Sequence, residues 1–68
     1  MYQNLKVEMV RMGVTNEMIA DELEQHRNTI TNKINGDSDF SISEGFRIRE
    51  KFFPYADYHY LFRRAKAS

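Results

Sequence analysis

The stretch Thr15-Asn-Glu-Met-Ile-Ala-Asp-Glu-Leu-Glu-Gln-His-Arg-Asn-Thr-Ile-Thr-Asn-Lys-Ile-Asn-Gly36 decides how this chain folds. Thr15 offers a side-chain oxygen as N-cap for a helix over 16–23, whose early turns are favoured by Glu17 and Asp21 through the helix dipole. Ile19 and Leu23 give that helix an apolar stripe. A second helix is predicted from Arg27 to Ile34, with Ile30 and Ile34 inward and Gly36 suited to a C-cap at positive φ. Only Glu24, Gln25 and His26 separate the two. Ala20 is a small residue within the first of them, and each helix carries its own apolar pair, Ile19 with Leu23 and Ile30 with Ile34.

Working outward, Leu5, Met9 and Met12 recur at i, i+4 and i+7, which predicts an earlier helix over about 3–12, ended by Gly13. On the other side, Asp37-Ser-Asp39 reads as a polar loop. Ser41 and Glu44 form a capping box that starts a fourth helix near Ile42. Ile42, Phe46, Phe52 and Phe53 are expected to face the core, and Phe53-Pro54 stops the helix. Asp57 caps a short fifth helix from Tyr58 to about Arg63. No segment reads as a strand. The expected architecture is all-α, a single five-helix domain over 1–64 with a frayed tail at 65–68.

The chain has 68 residues and no cysteine, so neither disulfides nor a thiolate zinc site can support so small a core. Compact packing, oligomerisation or both must do so. No apolar run is long enough for a membrane span and the N-terminus lacks a secretory pattern, so a cytoplasmic location is expected. Ten basic and ten acidic side chains cancel overall. Their distribution is uneven: Thr15 to Asp39 holds Arg27 and Lys33 against Glu17, Asp21, Glu22, Glu24, Asp37 and Asp39, while Arg47, Arg49, Lys51, Arg63, Arg64 and Lys66 come later.

The helix pair with its small Ala20, its apolar Ile19, Leu23, Ile30 and Ile34, and the run Asn28 to Gly36 followed by Phe40-Ser-Ile-Ser-Glu44, resembles the helix-turn-helix of the Cro/repressor-type (xenobiotic-response-element) family, in its small phage-encoded branch. The resemblance covers residues 4 to about 62. It implies a repressor of the minimal Cro-like kind, binding a palindromic double-stranded DNA operator as a homodimer. Carried over residue by residue, it places base reading at Arg27, Asn28, Thr31 and Asn32, and puts Asn16 near a phosphate or flanking base. Helical geometry agrees, because 27, 28, 31, 32 and 35 share one face without an apolar residue. Arg can grip guanine bidentately and Asn adenine. Thr15, Lys33 and Asn35 are better placed for phosphates.

The sequence departs from the family's pattern at four places. Glu24 stands for the usual turn glycine, Gln25 for an apolar plug, and His26 for a Ser or Thr cap, a task imidazole performs poorly. Asp37 and Asp39 occupy a loop where lysine is common and a phosphate would pass. The acidic second helix and the loop aspartates favour an alternative, a protein-interaction module that kept the fold and lost DNA affinity.

Six of the nine aromatics (Phe52, Phe53, Tyr55, Tyr58, Tyr60 and Phe62) fall within eleven residues. Phe52, Leu61 and Phe62 are expected to close the core. A small domain can hardly bury all six, so Tyr55, Tyr58 and Tyr60 are expected at a dimer contact. His26 and His59 read as polar surface groups rather than switches. No catalytic constellation or Gly-rich phosphate loop occurs, and neither enzymatic activity, a cofactor nor a small-molecule ligand is expected.

Overall fold

The computed structural model describes residues 1–64 and contains five helices: α1 (Gln3–Met12), α2 (Asn16–Leu23), α3 (Arg27–Asn35), α4 (Ile42–Phe52) and α5 (Tyr58–Leu61). The expected tail, 65–68, lies outside the described residues. Among those described there is no strand, and no helix is long and apolar enough to cross a membrane.

Each boundary has a local cause. The Thr15 hydroxyl accepts from the Met18 N–H at 3.2 Å, and the Met18 sulfur faces the Thr15 N–H in return at 3.4 Å. Ser41 and Glu44 form the reciprocal box at the start of α4, with distances of 3.1 and 2.9 Å. His26 caps α3 despite being an imidazole. Its Nδ1 accepts from the Asn28 N–H at 3.1 Å, which requires that nitrogen to be unprotonated. The Asp57 carboxylate accepts from the Tyr60 N–H at 3.1 Å and starts α5. That helix ends at Leu61, short of the expected Arg63. Beyond it, the Arg64 side chain turns back to the Gly36 carbonyl and to Asp39.

Leu5, Ile19, Ile30, Ile48, Phe53 and Leu61 are fully buried, so α1 to α5 and the α4–α5 loop all contribute to one core. The chain start closes it on one side. The Tyr2 N–H donates to the Ile34 carbonyl at 3.0 Å, and the Tyr2 ring packs with Phe40 and Phe62 at centroid distances of 5.5 and 5.8 Å.

Two expected inward faces are corrected. Met12 is about half exposed because α1 is already ending there, beyond Leu5 and Met9. Ile42 (70% exposed) and Phe46 (44% exposed) do not enter the core. The buried side of α4 is instead Gly45 and Ile48, rotated away from 42 and 46. At Gly45 the helix has room for the Tyr58 ring, which would lie 2.8 Å from an added Cβ. Phe46 stacks on that same ring at 4.5 Å, outside the core.

The α2–α3 turn bends through Glu24 at φ 55°, the only non-glycine residue with positive φ among the described residues. Gly36 ends α3 at φ 95°, with the Met1 nitrogen 2.6 Å from where its Cβ would stand. The two positions should respond oppositely. Glu24→Gly removes a left-handed strain of about 1 kcal/mol, part of which returns as unfolded-chain entropy. Urea unfolding should find it neutral to stabilised by up to ~1 kcal/mol. Gly36→Ala should lose at least ~1 kcal/mol.

Candidate nucleic-acid interface

The polar face of α3 stands at the surface. Arg27, Asn28, Asn32 and Asn35 are exposed and Thr31 is half-buried. Helical spacing puts them on the side opposite Ile30 and Ile34, which are buried. The amides of Asn28, Asn32 and Asn35 have no side-chain partner among the described residues, so each offers both an acceptor and two donors. Thr31 is more committed. Its hydroxyl donates to the Arg27 carbonyl at 3.1 Å and accepts from the Asn16 amide at 3.0 Å. This brings Asn16, at the start of α2, onto the edge of the α3 face. Thr15, exposed beside it, has its oxygen engaged as the α2 cap. Arg27 donates through Nη1 to Glu17 Oε1 at 2.8 Å, and both side chains remain mostly exposed.

Lys33 departs from its expected place. Its side chain is only 14% exposed and reaches sideways to α4, with Nζ at 3.0 and 3.1 Å from the two Glu44 oxygens. It also donates to Gln25 Oε1 at 3.2 Å and lies over the Phe40 ring. The Gln25 amide donates to the same carboxylate. The turn is therefore anchored by a polar knot at Gln25 rather than by an apolar plug. Burial alone would raise the Glu44 pKa. The Ser41 N–H, the Lys33 ammonium and the Gln25 amide together outweigh it and hold the carboxyl at about 2.

Other charges are also settled within the fold. Arg47 donates to the Glu22 carbonyl at 2.9 Å and to its carboxylate at 3.1 Å. Arg49 donates to the Ala56 carbonyl at 2.6 Å. Asp39, expected to repel a passing phosphate, is compensated by Arg64 at 2.5 Å, while Asp37 is exposed. One cation near the α3 face escaped sequence reasoning. Lys6 lines a cleft of about 330 Å³ between α1 and the helix pair, together with Thr15, Asn16, Thr31 and Asn35. Nothing in the local sequence of α1 indicates that approach, because it exists only once the helices pack.

The tyrosines expected at a dimer contact divide into two places. The Tyr55 and Tyr60 hydroxyls both donate to Glu8, at 2.7 and 3.0 Å, while the two residues stay 55% and 41% exposed. Arg11 completes the cluster at 3.1 Å. The Glu8 carboxyl is thereby held below the ordinary range, chiefly by the Tyr55 hydroxyl and against the opposing effect of burial. In turn the carboxylate pushes the Tyr55 and Tyr60 hydroxyls up. Tyr58 lies apart, half-buried between Phe46 and Phe62 at 4.5 and 5.1 Å. Sequence patterning had no way to mark Glu8, a carboxylate inside an otherwise ordinary amphipathic helix. Among the described residues, no cluster of His, Cys, Asp and Glu has the form of a metal site.

Because the Glu44 carboxyl is depressed in the fold, its contribution to stability is complete above its ordinary pKa of 4.5 and fades as pH falls toward about 2. Glu44→Gln should therefore lose on the order of 1–3 kcal/mol at pH 7, since it leaves the largely buried Lys33 without its counter-charge. The gap between wild type and variant should narrow steadily below pH 4.5 in chemical denaturation. A gap that stays constant down to pH 2 would refute the assignment.

Compared with models of known protein families, with curated proteins and with solved structures, the chain finds no significant match in any of the three.

Proposed function

We propose that this protein is a sequence-specific double-stranded DNA-binding transcriptional regulator, a repressor of the small phage or mobile-element type, that binds a palindromic operator as a homodimer. The observation that carries this reading is the exposed, wholly polar face of α3. Asn28, Asn32 and Asn35 hold uncommitted amides there, and Arg27 stands beside them on a helix held by a three-residue turn against α2. Asn amides match the N6/N7 edge of adenine and an Arg guanidinium the O6/N7 edge of guanine in the major groove. In this reading α2 and α3 are a helix-turn-helix of the Cro/repressor type, α3 enters the groove by its N-terminal half, and Asn16, Lys6 and Thr15 lie toward the flanking backbone.

The dimension of the domain suits the arrangement. Its principal extents are 32 × 26 × 22 Å, so two copies side by side can present their α3 helices about 34 Å apart, one turn of DNA. Tyr55, Tyr60 and the Phe46–Tyr58 stack are among the exposed apolar surfaces that could serve pairing. With Lys33 turned away from solvent, few cations remain to release counterions, so non-specific affinity is weak and specific affinity depends on dimerisation. The same scarcity favours a second reading, a protein-interaction module of this fold without DNA affinity.

Selection from random duplexes followed by titration at several salt concentrations separates the two. The regulator should enrich a palindrome, and Asn32→Ala or Arg27→Ala should each cost about 1–3 kcal/mol at defined positions of it. Lys33→Ala should leave the salt slope unchanged, whereas loss of a true phosphate contact lowers it by about 0.9. No enrichment and no salt-dependent binding in dilute buffer would leave the interaction module.

A further inference from the structure

Between Thr15 and Asp39 the sequence carries two cations, and the fold removes one of them, Lys33, into the Glu44 cluster. Arg27 is the remaining positive charge on the polar face of α3. It is held by Glu17, whose Oε1 accepts from Nη1 at 2.8 Å, and Thr15, Asn16, Glu17 and Arg27 line one shallow recess. The pair is exposed on both sides (60% and 68%), so it contributes little to stability. Its position matters more than its strength. A carboxylate at the edge of the reading face repels phosphate, and it neutralises the charge that would otherwise attract the DNA backbone irrespective of sequence. It does not exhaust the guanidinium. Arg carries five N–H donors in a fixed fork, and the carboxylate contact engages Nη1 alone, so donors remain for a base edge.

Resting on the DNA-binding reading above, we propose that Glu17 is a specificity-determining residue: it restrains Arg27 from phosphates and holds its guanidinium for a base edge. Non-specific binding is thereby suppressed at the same residue that reads sequence. Glu17 is a positioning group acting through Arg27, and it serves as an unfavourable neighbour for every duplex that lacks the matching base.

The test compares wild type, Glu17→Gln and Asp21→Asn on a random-sequence duplex and on the duplex that wild type enriches, between 50 and 200 mM salt. Asp21 is exposed one turn further along α2 and forms no ion pair with Arg27, so Asp21→Asn removes an equal charge without breaking the pair. Glu17→Gln should bind the random duplex more tightly, with a salt slope steeper by about 0.9, or roughly 3.5-fold more affinity lost across that range. It should also lose preference at the base position affected by Arg27→Ala. Asp21→Asn should keep that preference. An unaltered base preference in Glu17→Gln, or the same loss in Asp21→Asn, overturns the role of Glu17 while the DNA-binding reading stands. Absence of duplex binding by both wild type and Glu17→Gln overturns both.

Discussion

Glu44 has two carboxylate oxygens, and donors from three parts of the chain converge on them: the Ser41 N–H that begins α4, the Lys33 ammonium from the last turn of α3, and the Gln25 amide from the turn before it. One side chain therefore fixes where α4 starts, how α3 leans on it and how the α2–α3 turn is seated. Each of those groups would be costly to bury alone, and together they satisfy one another. No buried side-chain nitrogen or oxygen is left without a partner among the described residues. The exposed face of α3 is presented at a fixed angle because its opposite side is held by Ile30 and Ile34 below and by this polar knot beside them.

The knot also shapes the electrostatics. By drawing Lys33 inward, the fold uses for cohesion a charge that a DNA-binding helix would ordinarily direct at phosphates. Arg47 and Arg64 are likewise engaged with Glu22 and Asp39. What remains on the polar face of α3 is a set of amides and one guanidinium, which under the proposed DNA-binding reading suits discrimination between bases more than general adhesion.

The limits of legibility in the sequence follow the range of the interactions involved. Helix starts were readable because Thr15, Ser41 and Asp57 act on backbone groups within three residues. The inward placement of Ile19, Ala20, Leu23, Ile30 and Ile34 was readable because helical periodicity alone fixes it. Contacts between distant elements were not. The second role of Glu44, the sideways reach of Lys33, and the burial of Glu8 beneath Tyr55 and Tyr60 depend on how helices sit against one another. Ile42 and Phe46 misled for the same reason: their apolar character was plain, but the missing side chain at Gly45 drew Tyr58 in and set a different rotation for α4. On the α3 face, the exposure of Arg27, Asn28, Asn32 and Asn35 followed from spacing, whereas the partners of Arg27 and Thr31 did not.

The cluster at Glu8 has a consequence for how the first and last of the described helices depend on each other. α5 has four residues, far too few to be helical by itself, and its place is set from the opposite end of the chain. Asn4 donates to the Tyr60 carbonyl across 56 residues, and Glu8 receives the Tyr60 hydroxyl across 52. Without Tyr55 and Tyr60, α1 carries a carboxylate with only Arg11 to answer it. The first and last of the described helices therefore complete each other: α5 has its place through Asn4 and Glu8, and Glu8 has its partners through Tyr55 and Tyr60.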